Sequence, residues 1–180
     1  MKHTKYIIPA LLILVTGIVF TSCATIPKNA EAVSPFNKEK YLGKWYEIAR
    51  LDFKFEKDLN NTTANYSINP DNNTIKVVNR GYNYVKQEWT EVEGKAKFLD
   101  SDNIAKLKVS FFGPFYSGYN VIALADDYKY ALVAGKNLDY LWILSRKPTI
   151  PETVKEEFLQ KAKDIGYNTS DLIWVEHTKS

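Results

Sequence analysis

Short stretches of alternating apolar and polar residues recur along most of the chain and are separated by turn-forming residues. Their length of five to eleven residues and their content of Val, Ile, Thr, Tyr and Trp are typical of β-strands. Several connections are short, as at Asn69–Asn73 and Asp126–Asp127, so consecutive strands are expected to pair as antiparallel hairpins. The eight predicted strands are Trp45–Ala49, Thr62–Ile68, Ile75–Asn79, Glu88–Phe98, Ala105–Phe111, Gly118–Leu124, Tyr130–Ala134 and Tyr140–Ser145.

A helical pattern follows the eighth strand. Thr149 and Glu152 have the spacing of a capping box, and Pro151 suits the first turn of a helix. The pattern predicts one amphipathic helix, and Leu172–Val175 is expected to form a final short strand after it. The apolar residues of this helix that recur at helical spacing are Val154, Phe158, Ala162 and Ile165.

These elements indicate an all-β domain. Eight antiparallel strands joined in sequence can close into an up-and-down barrel, and at this strand number the interior holds side chains or one small ligand. A two-sheet sandwich is the alternative that the strands alone leave open. In the barrel, the apolar stripe of the C-terminal helix is expected to pack against the outside of the wall.

The first 22 residues have a different pattern. Lys2 and Lys5 precede an apolar run from Tyr6 to Phe20, which ends in small residues before Cys23. This arrangement predicts an export signal that covers residues 1–22 and is removed before Cys23. An uncleaved anchor helix is the alternative, but a membrane-spanning helix needs about 20 apolar residues and this run is shorter.

The four residues Phe20-Thr21-Ser22-Cys23 resemble the lipobox of bacterial lipoproteins, with Phe20 in the place of the usual Leu. The resemblance implies that Cys23 carries acyl chains. Because no Asp follows Cys23, it also implies a protein held in the outer membrane and facing the periplasm. Residues 23–35 contain Pro27 and Pro35 without periodicity, so we expect them to link this anchor to a domain at residues 36–180.

Charge and residue content exclude several classes of function. Without Lys2 and Lys5, 22 of the 24 basic residues remain against 21 acidic ones, and this near-neutral balance predicts no nucleic-acid partner. Cys23 is the only cysteine, so no intrachain disulfide can form. The only histidines are His3 and His177, so neither a catalytic triad nor a multi-histidine metal site is expected. We therefore predict no catalytic residue, no metal ion and no cofactor.

Three short motifs carry a family resemblance. Gly43 and Trp45 form Gly-x-Trp at the start of the first strand, Asp127 and Tyr128 form an acidic-Tyr turn, and Arg146 follows the last strand of the barrel. In this order they resemble the signature motifs of the lipocalins, and residues 106–121 are similar to the bacterial and apolipoprotein D-like branch of that family. The resemblance implies a barrel closed at one end, where Arg146 stacks on the Trp45 indole and bonds to backbone carbonyls.

The same resemblance, together with strand alternation, indicates which side chains would contact a ligand. Every second residue before Arg146 shares its inward face, if Arg146 faces the barrel axis. A polar head group is expected near the mouth, with Tyr116 at the rim. The predicted ligand-binding residues are Trp142, Tyr116, Glu47, Ala49, Ala64, Tyr66, Val77, Asn79, Leu107, Val109, Phe111, Tyr140 and Leu144.

The function that the resemblance implies is non-catalytic binding and transport or storage of fatty acids or lysophospholipids in the cell envelope, for example in membrane maintenance under stress. An apolar lining suits an acyl chain, because burial of each methylene is worth about 0.8 kcal/mol. Three alternatives stay open: a barrel filled by its own side chains, a structural lipoprotein that forms homodimers, and a weak lipid-modifying enzyme in which Glu47 acts as a base.

Overall fold

The computed structural model describes residues 24–70 and 74–179, so the predicted signal sequence and Cys23 lie outside the described residues. The described residues form nine β-strands, two α-helices and one 3-10 turn. The strands are β1 (Gly43–Leu51), β2 (Leu59–Ile68), β3 (Ile75–Asn83), β4 (Glu88–Phe98), β5 (Lys106–Ser110), β6 (Ser117–Leu124), β7 (Tyr130–Ala134), β8 (Leu141–Ser145) and β9 (Leu172–Trp174). The helices are α1 (Lys38–Tyr41) and α2 (Glu152–Ile165), and the 3-10 turn is Thr169–Asp171.

The nine strands form one antiparallel sheet in the order β2-β3-β4-β5-β6-β7-β8-β1-β9. The first half of β1 also pairs with β2, with Gly43 opposite Tyr66, and this pairing closes the sheet on itself. The second half of β1 pairs instead with β9, from Ala49 to Leu51. The predicted up-and-down barrel and final short strand are therefore confirmed, and the sandwich alternative is wrong.

Strand β3 continues four residues beyond its predicted end at Asn79 and reaches Asn83. Gly81, which usually weakens a strand, lies opposite Thr90 in β4 and belongs to a continuous ladder. A Cβ atom at position 81 would lie 2.9 Å from Cγ2 of Thr62 on β2. The glycine therefore makes room for a close neighbouring side chain, and only the folded sheet shows this requirement.

The barrel wall separates two apolar clusters. The inner cluster includes Trp45 and Leu144, whereas the outer cluster joins Ile143 of the wall to Phe158 and Ala162 of α2. Because Ile143 and Leu144 are adjacent on β8, their side chains point to opposite faces of the wall. The predicted position of the helix outside the barrel is confirmed.

The predicted capping box at the start of α2 is wrong. Pro151 occupies the N-cap position with extended backbone, and no described side chain caps the backbone N–H groups of the first turn. Thr149 lies two residues further out, and its carbonyl accepts a hydrogen bond from Oγ of Ser145 at 2.9 Å. Within the described ranges, no helix is both long enough and apolar enough to cross a lipid bilayer.

The segment from Ala24 to Pro35, predicted to be a linker, is packed against the barrel. Val33 donates its backbone N–H to Val121 at 2.8 Å and accepts one from Ala105 at 2.9 Å. Nearer its start, the carbonyl of Thr25 accepts a hydrogen bond from Nδ2 of Asn120 at 2.8 Å. The segment therefore follows the wall, and Thr25 lies beside the start of β6.

Candidate ligand cavity

The closed end of the barrel is built from the three sequence motifs. Trp45 is fully buried, and the guanidinium carbon of Arg146 lies 3.8 Å from the centre of its ring. Arg146 donates hydrogen bonds to the carbonyls of Lys40, Tyr41 and Lys44 at 2.8, 3.0 and 2.9 Å. The stack expected from the motifs is present, and Arg146 joins α1 and the start of β1 to the end of β8.

The acidic-Tyr turn completes this end. Tyr128 has a positive φ of 58°, and its carbonyl accepts a further hydrogen bond from Arg146 Nε at 3.3 Å. Its hydroxyl accepts one from the backbone N–H of Asn37, just before α1, at 2.9 Å. Asp127 accepts the backbone N–H of Lys129 at 3.1 Å, which stabilises the tight turn between β6 and β7.

Above this end lies a cavity of about 780 Å³, within the range of about 300–1,000 Å³ that is usual for small-molecule sites. The barrel is therefore not filled by its own side chains. Twelve of the thirteen predicted contact residues line this cavity, although their contact with a ligand stays a prediction. These twelve are Glu47, Ala64, Tyr66, Val77, Asn79, Leu107, Val109, Phe111, Tyr116, Tyr140, Trp142 and Leu144.

Ala49 is the exception, and its predicted inward position is wrong. The pairing of β1 with β8 shifts between Glu47 and Ala49, so Ile48 is an extra residue in the ladder. Such a bulge reverses the alternation of the residues that follow it. Ala49 is consequently buried in the outer cluster against α2, and Arg50 takes the inward direction opposite Trp142.

Three tyrosines form the floor of the cavity, and sequence reasoning identified only Tyr66. The hydroxyl of Tyr119 lies 2.7 Å from that of Tyr41 and 2.8 Å from that of Tyr66. Burial is the largest cause that raises the pKa of each of these phenols. Tyr119 lies opposite Leu107 and shares its inward face. The sequence signal that could have identified it is alternation along the predicted strand Gly118–Leu124.

The loop between β1 and β2, residues 52–58, covers part of the mouth and was also missed. Phe53 packs edge-on against Tyr140 and Trp142, with ring centres 5.6 and 5.8 Å apart. The indole N–H of Trp142 donates to Oε2 of Glu56 at 3.0 Å. Phe53 and Phe55 alternate with Asp52, Lys54 and Glu56, a pattern that would also suit a longer strand. Only the folded structure shows that these residues leave the strand and join the site.

Charged groups meet where this loop enters the cavity. Arg50 is almost fully buried and donates to Glu47 Oε1 at 2.8 Å and to the carbonyls of Glu56 and Leu59 at 2.7 and 3.1 Å. Burial raises the pKa of Glu47 and raises that of Glu56 to about 8, with the Glu47 charge adding to the effect on Glu56. The arrangement favours an uncharged Glu56 at neutral pH.

The rim of the mouth carries exposed aromatic side chains. Phe112 and Phe115 are 61% and 79% exposed, and Phe112 contacts Phe55 of the facing loop with ring centres 5.8 Å apart. Tyr116 lines the cavity beside them, with the ammonium groups of Lys97 and Lys108 about 5 Å from its ring centre. The rim is thus both apolar and basic.

Comparisons with known proteins agree with this architecture. The family described as "Lipocalin-like domain" matches residues 36–177. Outer membrane lipoprotein Blc of Escherichia coli strain K12 is 49% identical over 163 residues, which cover 91% of this chain and 92% of that protein. Temperature-induced lipocalin-1 of Arabidopsis thaliana is 36% identical over 157 residues, covering 82% of this chain and 83% of that protein.

A solved structure shares the fold at much lower identity. Insecticyanin from the tobacco hornworm Manduca sexta superposes with a TM-score of 0.67 at 19% identity, over 83% of this chain and 85% of that chain. The closed barrel, the arginine–tryptophan stack and the family match over residues 36–177 lead to one conclusion. The chain belongs to the lipocalin family.

Proposed function

We propose that the protein binds fatty acids or lysophospholipids in its barrel and transports or stores them in the cell envelope, where it supports membrane maintenance under stress. The observation that carries this proposal is the cavity of about 780 Å³, whose wall is formed mainly by aliphatic and aromatic side chains. An acyl chain gains about 0.8 kcal/mol for each methylene that it buries there. Lys54 and Lys57 also line the cavity and suit a carboxylate or phosphate near the mouth.

The proposal includes attachment to the outer membrane through an acylated Cys23. Four proteins named outer membrane lipoprotein Blc are 44–49% identical to this chain over most of its length. Thr25, two residues after Cys23, is held by Asn120, which also donates to the carbonyl of Gly135 at the open end of the barrel. An acylated Cys23 would therefore hold the mouth close to the membrane surface that supplies the ligand.

Mass spectrometry of the protein, extracted from bacterial membranes with mild detergent, tests the attachment and the cargo together. We expect acyl chains on Cys23 and a co-purifying lipid in proportion to the protein.

A second function, self-association through the rim, is favoured by the exposure of Phe112 and Phe115. A protein that is dimeric, free of lipid and not acylated would contradict the transport proposal and support self-association.

Binding of an environment-sensitive fatty-acid probe to the purified protein tests the cavity directly. We expect Trp142→Ala to weaken probe binding by about tenfold, because it removes a large apolar contact of the wall, worth about 1.4 kcal/mol or more. Trp174→Ala is the matched control, since Trp174 lies 43% exposed on β9 and does not line the cavity. The Trp174→Ala variant is expected to bind the probe with the same affinity as the unmodified protein.

A third variant separates direct contact from support of the loop. Trp142→Phe keeps an aromatic ring in the cavity but removes the N–H that donates to Glu56. If contact with the probe dominates, this variant retains most of the affinity. Absence of saturable probe binding to the unmodified protein would contradict the proposed function.

The enzymatic alternative receives little support from the site. Glu47 is the interior carboxylate that could act as a base, but its Oε1 atom accepts a hydrogen bond from Arg50 at 2.8 Å. Membership of the lipocalin family supports a role in binding over a role in catalysis. Release of product from a bound lipid, lost in Glu47→Gln with the fold intact, would reverse this preference.

A further inference from the structure

The three floor tyrosines, Tyr41, Tyr66 and Tyr119, have a hydrogen-bonding capacity that the described residues leave partly unused. Three hydroxyl groups carry three protons, but the network contains the two hydrogen bonds that Tyr119 makes with Tyr41 and with Tyr66. One O–H therefore has no acceptor among the described side chains and backbone groups. A buried donor left in this state costs about 1–3 kcal/mol, so the network favours an additional acceptor.

All three tyrosines line the cavity, so that acceptor would come from the contents of the cavity. The rest of the floor is apolar, and Ile75, Val77 and Leu107 contribute to its wall. The polar group that meets the tyrosines is therefore the inner end of a molecule that enters through the mouth.

The surroundings favour an uncharged group at this position. Arg146 stacks on Trp45 and donates its hydrogen bonds to backbone carbonyls. Lys38 also lines the cavity, but its ammonium group pairs with Asp102 at 2.8 Å. Burial raises the pKa of each floor phenol, which shows that the floor disfavours negative charge. A carboxylate is accordingly better placed at the basic mouth, where Lys54 and Lys57 line the cavity.

We propose that the tyrosine floor is a subsite for an uncharged hydroxyl or carbonyl oxygen at the inner end of the ligand. The preferred ligand is then an acyl chain with polar groups at both ends, an ionised head at the mouth and a hydroxyl or oxo group at the floor. This proposal rests on the proposed function, because it assigns one end of the same cavity.

The test compares hexadecanoic acid with its ω-hydroxy derivative, together with shorter pairs of the same kind, by displacement of a fluorescent fatty-acid probe from the purified protein. In an apolar barrel the added hydroxyl weakens binding, because its hydration is lost without compensation. With the tyrosine floor, we expect the derivative of matching length to bind at least as tightly as the plain acid.

The variant for this test replaces all three floor tyrosines by phenylalanine. Removing one hydroxyl alone is uninformative, because the remaining groups would still hold an unused O–H. The triple variant removes both partners of each hydrogen bond and keeps the shape of the floor, a change that is usually close to neutral for stability. The ratio of the two dissociation constants is expected to shift by about tenfold against the ω-hydroxy acid.

Tyr46→Phe combined with Tyr130→Phe is the matched control, because it removes two tyrosine hydroxyls on the outer side of the wall, away from the cavity. This control is expected to leave the ratio unchanged. An equal ratio in the unmodified protein and the triple variant, with tight binding of the plain acid, would overturn the subsite and leave the proposed function intact. The ratio would also be equal in the two proteins if a water molecule, and no group of the ligand, accepted the unused O–H.

Nuclear Overhauser effects provide a measurement that does not need the triple variant to fold. The ω-methylene of the labelled hydroxy acid, bound to the unmodified protein, is expected to show contacts with the rings of Tyr66 and Tyr119. Contacts confined to Tyr116 and Tyr140 would contradict the subsite. Failure of both acids to bind would overturn the proposed function, and the subsite with it.

Discussion

The two ends of the barrel are each organised around one arginine, and the two arginines have different partners. At the closed end, Arg146 stacks on Trp45 and donates to four backbone carbonyls. At the open end, Arg50 is almost fully buried and lies among carboxylates, with Glu47 at 2.8 Å and Glu56 at 3.9 Å. The Nε atom of Arg50 has no hydrogen-bond partner among the described residues.

Because of this difference, the closed end keeps the same contacts at every physiological pH, whereas the contacts at the open end depend on pH. Backbone carbonyls do not titrate, so the hydrogen bonds of Arg146 are the same across the physiological pH range. The Glu47 and Glu56 carboxyls do titrate, and burial raises the pKa of both. The loop that covers the mouth is therefore attached to groups whose charge depends on pH, whereas the closed end is not.

Replacement of the two arginines provides the largest expected contrast. We expect Arg50→Met to lower the free energy of unfolding by about 3 kcal/mol at neutral pH, because it leaves Glu47 buried without a cation. Arg146→Met is the matched variant and is expected to cost about 1 kcal/mol, because the carbonyls of Lys40 and Lys44 are at exposed positions that water can reach. Urea denaturation of each variant measures its free energy of unfolding.

A second substitution sharpens this contrast. Glu47→Gln in the Arg50→Met background removes the uncompensated charge and is expected to restore at least half of the lost stability. Equal losses for the two arginine variants, or no recovery in the double variant, would show that the charges at the open end do not distinguish it from the closed end.

Glu56→Gln has a smaller effect, which depends on pH. Burial raises the pKa of Glu56 from 4.5 to about 8, so between these values the folded protein holds a proton that the unfolded chain has released. The free energy of unfolding therefore falls as pH rises through this window. Because Gln cannot ionise, the variant is expected to have the same free energy of unfolding as the unmodified protein near pH 4, below both pKa values. Near pH 6 it is expected to be more stable by about 2 kcal/mol.

The amide oxygen of Gln can still accept the indole N–H of Trp142, so the variant retains the contact between the loop and the wall. Urea denaturation at several pH values measures the difference between the two stability profiles. Parallel profiles for the two proteins would contradict the assignment of the pH response to Glu56.

The closed end was predictable to a large extent, and the open end was not. Gly43, Trp45 and Arg146 belong to short motifs whose roles depend on local backbone and on one stacking contact, so their arrangement follows from the resemblance. At the open end, the bulge at Ile48 leaves no signal in the apolar pattern, because Ile48 and Ala49 are both apolar. The bulge turned Ala49 to the outside of the wall and Arg50 to the inner side, where it donates to Glu47.

Strand alternation and the family resemblance together predicted twelve residues that line the cavity, since the direction of a side chain in a strand is a local property. The sequence by itself thus determined the strands, the barrel, the family motifs and most of the apolar wall. Only the tertiary structure decided which polar groups meet inside it. Tyr41 is 78 residues from Tyr119, and Trp142 is 86 residues from Glu56, so their hydrogen bonds depend on closure of the barrel and on the path that the loop between β1 and β2 takes.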